Sequence, residues 1–296
     1  MDVSPDDGLR LLTIHAHPDD ESSKGAATVH RYAREGVRCV LVTATGGEEG
    51  DILNPAMDRP EVRERLHLVR LDELARAAAI IGYHEVVMLG YRDSGMAGTE
   101  ANRRLGSFAA ADLGEAVGRL VAVIRRERPH VIVTYADDQE GYPHPDHLRV
   151  HDISVIAFDA AADPDRYPDA GPPWQVSKLY YSAWAKARIV AMHEKFLELG
   201  LDSPYPEEWR DRPGLDHRLT TRIDVLPEDD VGGAALLAHA TQVDPASPFW
   251  FGLPPEAGNA YPYDDYILAR SVVPIQVDAP VPEDDLFAGL REPVRH

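Results

Sequence analysis

The chain has 296 residues, 44% of them hydrophobic, a formal net charge of −20 and one cysteine. That length carries one large domain or a domain with an added lobe, no run approaches the roughly 20 apolar residues of a membrane span, and the acidity argues against a nucleic-acid or anionic-membrane partner, which needs a basic face. Cys39 permits no intrachain disulfide and, with an N-terminus that lacks the basic and apolar regions of a signal peptide, fits a reducing cytoplasm.

Residues 1–8 read as a loose leader. A first strand, about 9–15, ends in His15-Ala16-His17-Pro18-Asp19-Asp20-Glu21. Pro18 cannot donate to a ladder, so the strand stops there and two imidazoles and three carboxylates crowd its end. A helix from about Ser23 to Glu35 follows, stopped by Gly36. The second strand, 37–43, carries Cys39 as an inert core thiol and opens into Thr45-Gly46-Gly47-Glu48-Glu49-Gly50-Asp51. A long helix is expected over 61–81, with Leu68, Leu71, Ala75 and Ala78 at helical spacing. The third strand, 86–89, leads into Gly90 to Met96, and 97–109 reads as loop.

A helix over 112–127 precedes a fourth strand, 130–135. The next cluster, Gly141-Tyr142-Pro143-His144-Pro145-Asp146-His147, opens a helix over 145–162. A proline-bearing connector spans 163–173. Beyond it the pattern predicts a strand at 176–184, a helix at 186–199, irregular chain at 202–217 and a strand at 219–225. A helix at 228–240 contains Gly232-Gly233, 245–262 reads as loop, and 266–273 is a helix or a strand. Strands alternating with helices four times predict an α/β fold: a Rossmann-like, mostly parallel sheet with helices on both faces and a smaller C-terminal lobe. The expected division is a core over 1–165 carrying both clusters, a lobe over 166–276 packed on it, and a flexible acidic tail over 277–296.

Ligands of open α/β sheets bind outside the carboxyl ends of the strands, where both clusters fall. Zinc accepts imidazole and carboxylate, and a catalytic zinc keeps three protein ligands. His17, Asp20 and His147 supply that set. Asp19 stands beside it as a base for the attacking water, and His144 and Tyr142 are placed to serve the oxyanion and the leaving group. Asp146 is expected to fix the tautomer of His144. His15 and His151 read as structural. The glycine-bearing loop matches neither a dinucleotide fingerprint nor a Walker pattern. Its Glu48 is expected to bond neighbouring loops, and Arg70 and Asp93 are candidates for a polar, hydroxylated substrate.

These motifs resemble the LmbE-like, zinc-dependent N-acetylglucosaminyl-phosphatidylinositol deacetylase family. The resemblance runs from about residue 9 to 270. It implies one zinc per chain held by His17, Asp20 and His147, Asp19 as general base, His144 and Tyr142 at the oxyanion and leaving amine, and Arg70 and Asp93 on sugar and inositol hydroxyls. Residues 15–28, Thr45 to Glu48, Gly50 to Met57, Trp174 to Tyr181 and His239 to Gln242 look like the branch that cleaves mycothiol S-conjugates. Lys24 matches that branch, with its ammonium toward the cysteinyl part. Arg92 to Thr99 looks more like the sister branch, which deacetylates N-acetylglucosaminyl-inositol. The implied substrate is a small thiol conjugate of an amino-sugar inositol, in detoxification or natural-product biosynthesis. A non-catalytic nucleotide-binding module and a structural calcium site are the readings from other classes. The missing glycine fingerprint opposes the first, and the imidazole-rich clusters oppose the second.

Overall fold

The computed structural model describes residues 8–225, 230–254, 260–274 and 283–291. Each apolar run becomes a strand and each amphipathic stretch a helix. In chain order they are β1 (Arg10–His15), α1 (Asp20–Ser23), α2 (Ala26–Arg34), β2 (Arg38–Thr45), α3 (Pro60–Arg63), α4 (Leu66–Ile81), β3 (Glu85–Tyr91), α5 (Leu113–Glu127), β4 (Val131–Tyr135) and α6 (Pro145–Ala160). Then come β5 (Lys178–Ala183), α7 (Lys186–Glu198), α8 (Glu207–Asp211), β6 (Thr221–Asp224), α9 (Val231–Ala238), α10 (Pro248–Phe251) and β7 (Tyr263–Ser271).

Two expected helices differ near their starts. The one expected from about Ser23 begins only at Ala26, and a separate short helix, α1, lies in the charged cluster before it; between them Gly25 has φ +90° and a Cβ there would meet the Tyr266 hydroxyl at 2.7 Å. Only glycine lets that turn pass so close to the sheet. The one expected over 61–81 is broken at Glu64-Arg65, separating α3 from α4. The ambiguous C-terminal segment is a strand, β7, and short helices lie inside two stretches read as irregular (α8 and α10).

One seven-stranded sheet has the order β3-β2-β1-β4-β5-β7-β6. The first five strands are parallel; β7 runs antiparallel to β5, and β6 antiparallel to β7. The stretch 166–276 therefore extends the sheet of the first half: Tyr135 of β4 pairs with Ser182 of β5. Both faces are covered, as a parallel sheet requires. Leu12, Ile14, Val40 and Val42 point to α5 and α6, while Leu11, Cys39, Val131 and Val133 point to α2, α4 and α9. The period-2 alternation of the strands makes this division.

Of the 277–296 stretch expected to be flexible, residues 283–291 are described and packed. Leu286 and Phe287 are fully buried, Phe287 lies edge-on to Tyr32 at 5.1 Å, and the Tyr32 hydroxyl donates to Asp285 at 2.9 Å. Two apolar side chains in an acidic stretch are enough to anchor it on α2. Residues 1–7, 277–282 and 292–296, like the first residues of the 228–240 helix, lie outside the described residues. Among the described residues no helix is long and apolar enough to cross a membrane.

The strand order reverses between β1 and β4. That is the switch point at which an open α/β sheet leaves a crevice beyond its carboxyl ends. The His17 to Glu21 turn leaves β1 there, and the chain from β4 returns through Tyr142 to His147 beside it. Topology alone brings together clusters 130 residues apart.

Candidate active site

His17, Asp20 and His147 are all buried, and one donor atom from each lies within 4.8 Å of the others. Asp20 Oδ2 is the hinge of the group, 3.5 Å from His17 Nδ1 and 3.4 Å from His147 Nε2. The Tyr135 hydroxyl at the end of β4 donates to the same oxygen at 2.7 Å, and the His17 N–H donates to it at 3.0 Å. The His147 ring stacks on Tyr135 at 4.4 Å. Lys24 holds the other oxygen, Oδ1, at 2.6 Å. Burial opposes ionisation of Asp20, but Lys24 and His147 outweigh it and hold the carboxyl well below its usual range.

The far side of His17 faces two more carboxylates: Nε2 lies 3.2 Å from Asp146 Oδ2 and 3.6 Å from Asp93 Oδ1. Burial pulls His17 down, yet Asp146, Asp20 and Asp93 together raise its pKa well above the ordinary value. Such an excess of buried negative charge around an imidazole is what a cation relieves. Burial keeps His147 below its usual value, in the neutral form that binds metals. The donor set, two imidazoles and an ionised carboxylate, fits zinc. A second group, His17, Asp93 and His144, shares the same imidazole.

Asp19 adopts φ 112°, a left-handed conformation that a non-glycine residue holds only at a cost of about 1–3 kcal/mol. Its N–H donates to Glu21 Oε2 at 2.9 Å, and its carboxylate accepts from Arg70 at 3.1 Å. Burial lifts the Asp19 carboxyl to about 6, against the pull of Arg70. Arg70, candidate for a substrate contact, is 3% exposed and clamps two loops, donating to Pro18 O and Gly47 O at 2.5 Å each. Gly47 has φ +71°, and a Cβ there would lie 2.3 Å from the guanidinium. The glycine-bearing loop is thus a seat for Arg70.

His144 caps α6 and is buried. Burial, with His17 nearby, brings it down to about 4. Its Nδ1 accepts the backbone N–H of Asp146 at 3.2 Å. The expectation that the Asp146 carboxylate orients His144 is thus met differently: the backbone does it, while the carboxylate accepts from Ser94 N–H at 2.9 Å and from the Ser94 hydroxyl and faces His17. Tyr142 is 56% exposed, its ring 5.4 Å from His147 and 6.1 Å from His144. Glu48 accepts the Asp93 N–H at 3.0 Å, as expected of a loop-bonding residue. Asp93 accepts from Gly95 at 2.8 Å and Glu49 at 3.2 Å; burial raises its pKa, but His17 outweighs burial and lowers it. His151 lies 3.1 Å from Tyr135 O, a structural contact. His15 is buried edge-on to Tyr135 and brought down to about 4 by burial.

Sequence reasoning missed Tyr135, Ser94 and the pair Glu21–His239. Glu21 carried a signal as an acid continuing the first cluster into a helix; Ser94 and His239 lay in stretches marked by resemblance alone, with no role given to either. Tyr135 lay within a strand and carried none.

The family model GlcNAc-PI de-N-acetylase (PIG-L) matches residues 12–158. A mycothiol S-conjugate amidase of Streptomyces coelicolor is 43% identical over 296 residues, covering 97% of this chain and 99% of the relative. A 1D-myo-inositol 2-acetamido-2-deoxy-alpha-D-glucopyranoside deacetylase of Streptomyces avermitilis is 42% identical, covering 95% and 97%. The N,N'-diacetylchitobiose deacetylase of Pyrococcus horikoshii shares the fold, with TM-score 0.61 and 16% identity over 88% of this chain and 84% of that one. The chain belongs to the GlcNAc-PI de-N-acetylase (PIG-L, LmbE-like) family, whose members hydrolyse amides.

Proposed function

We propose that this family member is a zinc-dependent amidohydrolase that cleaves the amide between glucosaminyl-inositol and an N-acetylcysteine whose sulfur carries a second group. The products are a mercapturic-acid conjugate and the free amino sugar. The observation that carries the reading is the convergence of His17, Asp20 and His147, with the Asp19 carboxylate beside them. Near-full-length similarity to an S-conjugate amidase supports the substrate class. The single cysteine, Cys39, leaves no intrachain disulfide to form, which supports a cytoplasmic setting.

His17, Asp20 and His147 hold the zinc, which when bound supplies the Lewis acidity that activates water and polarises the amide carbonyl. Asp19 accepts the proton of the attacking water; its raised pKa makes it a competent base near neutral pH. The Asp146 N–H leaves neutral His144 with its proton on Nε2, a donor for the carbonyl oxygen as charge develops there. The Tyr142 phenol, exposed at the rim, joins it beside the oxyanion and the leaving nitrogen, which takes the proton held by Asp19 as the C–N bond breaks. Arg70 keeps Asp19 aimed at the site through its hold on Pro18 and Gly47. Asp93, Glu48 and Lys24 line the approach, the first two toward sugar and inositol hydroxyls and the last toward the cysteinyl part.

The second reading is deacetylation of N-acetylglucosaminyl-inositol, favoured by the Arg92 to Thr99 stretch and by the deacetylase relative. Turnover of a bimane-labelled mycothiol conjugate beside N-acetylglucosaminyl-inositol separates the two. We expect the conjugate to be preferred, activity to vanish on chelation and to return with zinc. Preference for the acetylated sugar would give the second reading. Turnover untouched by complete metal removal would defeat both.

A further inference from the structure

The backbone of Asp19 is held from outside the reacting centre. Its N–H donates to Glu21 Oε2 at 2.9 Å, and Glu21 Oε1 lies 2.6 Å from Nε2 of His239. Neither Glu21 nor His239 is exposed at all. A carboxylate only accepts, so His239 presents Nε2–H to it. His239 cannot drift, because the residues after it are stitched to two elements. The Thr241 N–H and hydroxyl donate to Glu73 of α4 at 2.8 and 2.7 Å, the Leu53 N–H donates to Thr241 O at 2.8 Å, and the Asn54 amide donates to Ala240 O at 2.9 Å. Glu73 is itself fully buried.

We propose that His239, acting through Glu21, is a positioning residue that holds Asp19 in its left-handed turn, so that the carboxylate stands beside the His17–Asp20–His147 group. The proposal rests on Asp19 being the base and goes beyond it, since His239 lies outside the metal-ligand set and its hydrogen-bonded route to Asp19 runs through Glu21. The two ends of Asp19 are gripped separately: Arg70 takes the carboxylate, and the His239–Glu21 pair takes the amide. A left-handed non-glycine residue relaxes when either grip is released. Without His239, Glu21 Oε1 loses a buried hydrogen-bond donor and the carboxylate turns away from the Asp19 amide.

The test is steady-state turnover of the bimane conjugate by zinc-loaded full-length variants, with zinc content and thermal melting measured on the same samples. His239→Ala should lower kcat about 10- to 100-fold, as loss of a supporting partner does, with KM within about twofold and one zinc retained. His239→Gln, which restores an N–H donor toward Glu21, should recover most of kcat. If His239→Ala does not melt cooperatively, His239→Asn, polar but too short to reach Glu21, takes its place with the same expectation. In an Asp19→Asn background, His239→Ala should add no further loss. Unchanged kcat in His239→Ala, a loss that tracks missing zinc, or an undiminished extra loss in the Asp19→Asn background would overturn the proposal. Asp19→Asn alone separates the two ideas: full activity there removes Asp19 as base and the proposal with it. A large loss there, beside a silent His239→Ala, removes only the positioning role.

Discussion

The two ends of the sheet use the same side-chain types in opposite ways. At the amino end, Arg38 opens β2, Glu85 opens β3, and Arg126 and Glu127 close α5. They form a ring, half-exposed except for the buried Glu127, in which every cation meets an anion: Arg38 lies 2.8 Å from Glu85 and 3.0 Å from Glu127, and Arg126 lies 3.0 Å from Glu85. At the carboxyl end, Asp20, Asp93 and Asp146 converge on His17, with Asp19 adjacent; among the described lysines and arginines only Lys24 and Arg70 pair with these carboxylates. An exposed pair is worth about 0–1 kcal/mol, whereas an uncompensated buried charge costs several. A fold keeps the second arrangement where a cation and a substrate complete it. The difference marks function better than the presence of His and Asp does.

The contrast is broken most directly at Asp19. Asp19→Asn is expected to lower kcat by about 100- to 10,000-fold, the usual contribution of a general base, with zinc still bound. Zinc analysis beside single-turnover rates checks this, and more than a tenth of the wild-type rate would make the Asp19 carboxylate merely structural.

The two ends also differ in how pH acts on stability. Burial lowers the His239 pKa, but Glu21 outweighs it and raises it. The contribution of His239 is therefore full below about 6.5, its unfolded value, and is lost as pH rises through the higher folded value. Glu127 runs the other way. Burial raises its pKa, but Arg126 and Arg38 outweigh burial and hold it below the usual range. Its contribution is present above about 4.3 and is lost as pH falls through the lower folded value. Melting temperatures of wild type and His239→Gln should thus converge on alkalinisation, and those of wild type and Glu127→Gln on acidification. Convergence in the same direction would erase the distinction.

The smallest effect belongs to the exposed ring. Arg126→Ala should cost no more than about 1 kcal/mol, less still at high salt, and leave turnover unchanged. Urea unfolding at two ionic strengths measures it. A loss of several kcal/mol would mean that the amino end, too, stores buried charge.

The sequence by itself determined the alternation of strands and helices, because hydrophobic period is local. It also determined that His17, Asp20 and His147 belong together, because two clusters of metal-binding types at strand ends have few other uses. Asp19 and His144 were legible as members of those clusters, and Glu48 as an acid in a loop that has to bond its neighbours. Tertiary structure alone decided the rest. Arg70 reads as a solvated helix residue or a substrate contact until Gly47 and Pro18 are folded over it. The Asp146 carboxylate turns to His17 and Ser94, which reach it from the ends of β1 and β3. The 166–276 stretch extends the same sheet because β5 finds β4 as its parallel neighbour. His239 reaches Glu21 across 218 residues. Contacts of that range depend on how layers stack and where the strand order reverses, and neither leaves a period in the chain that forms them.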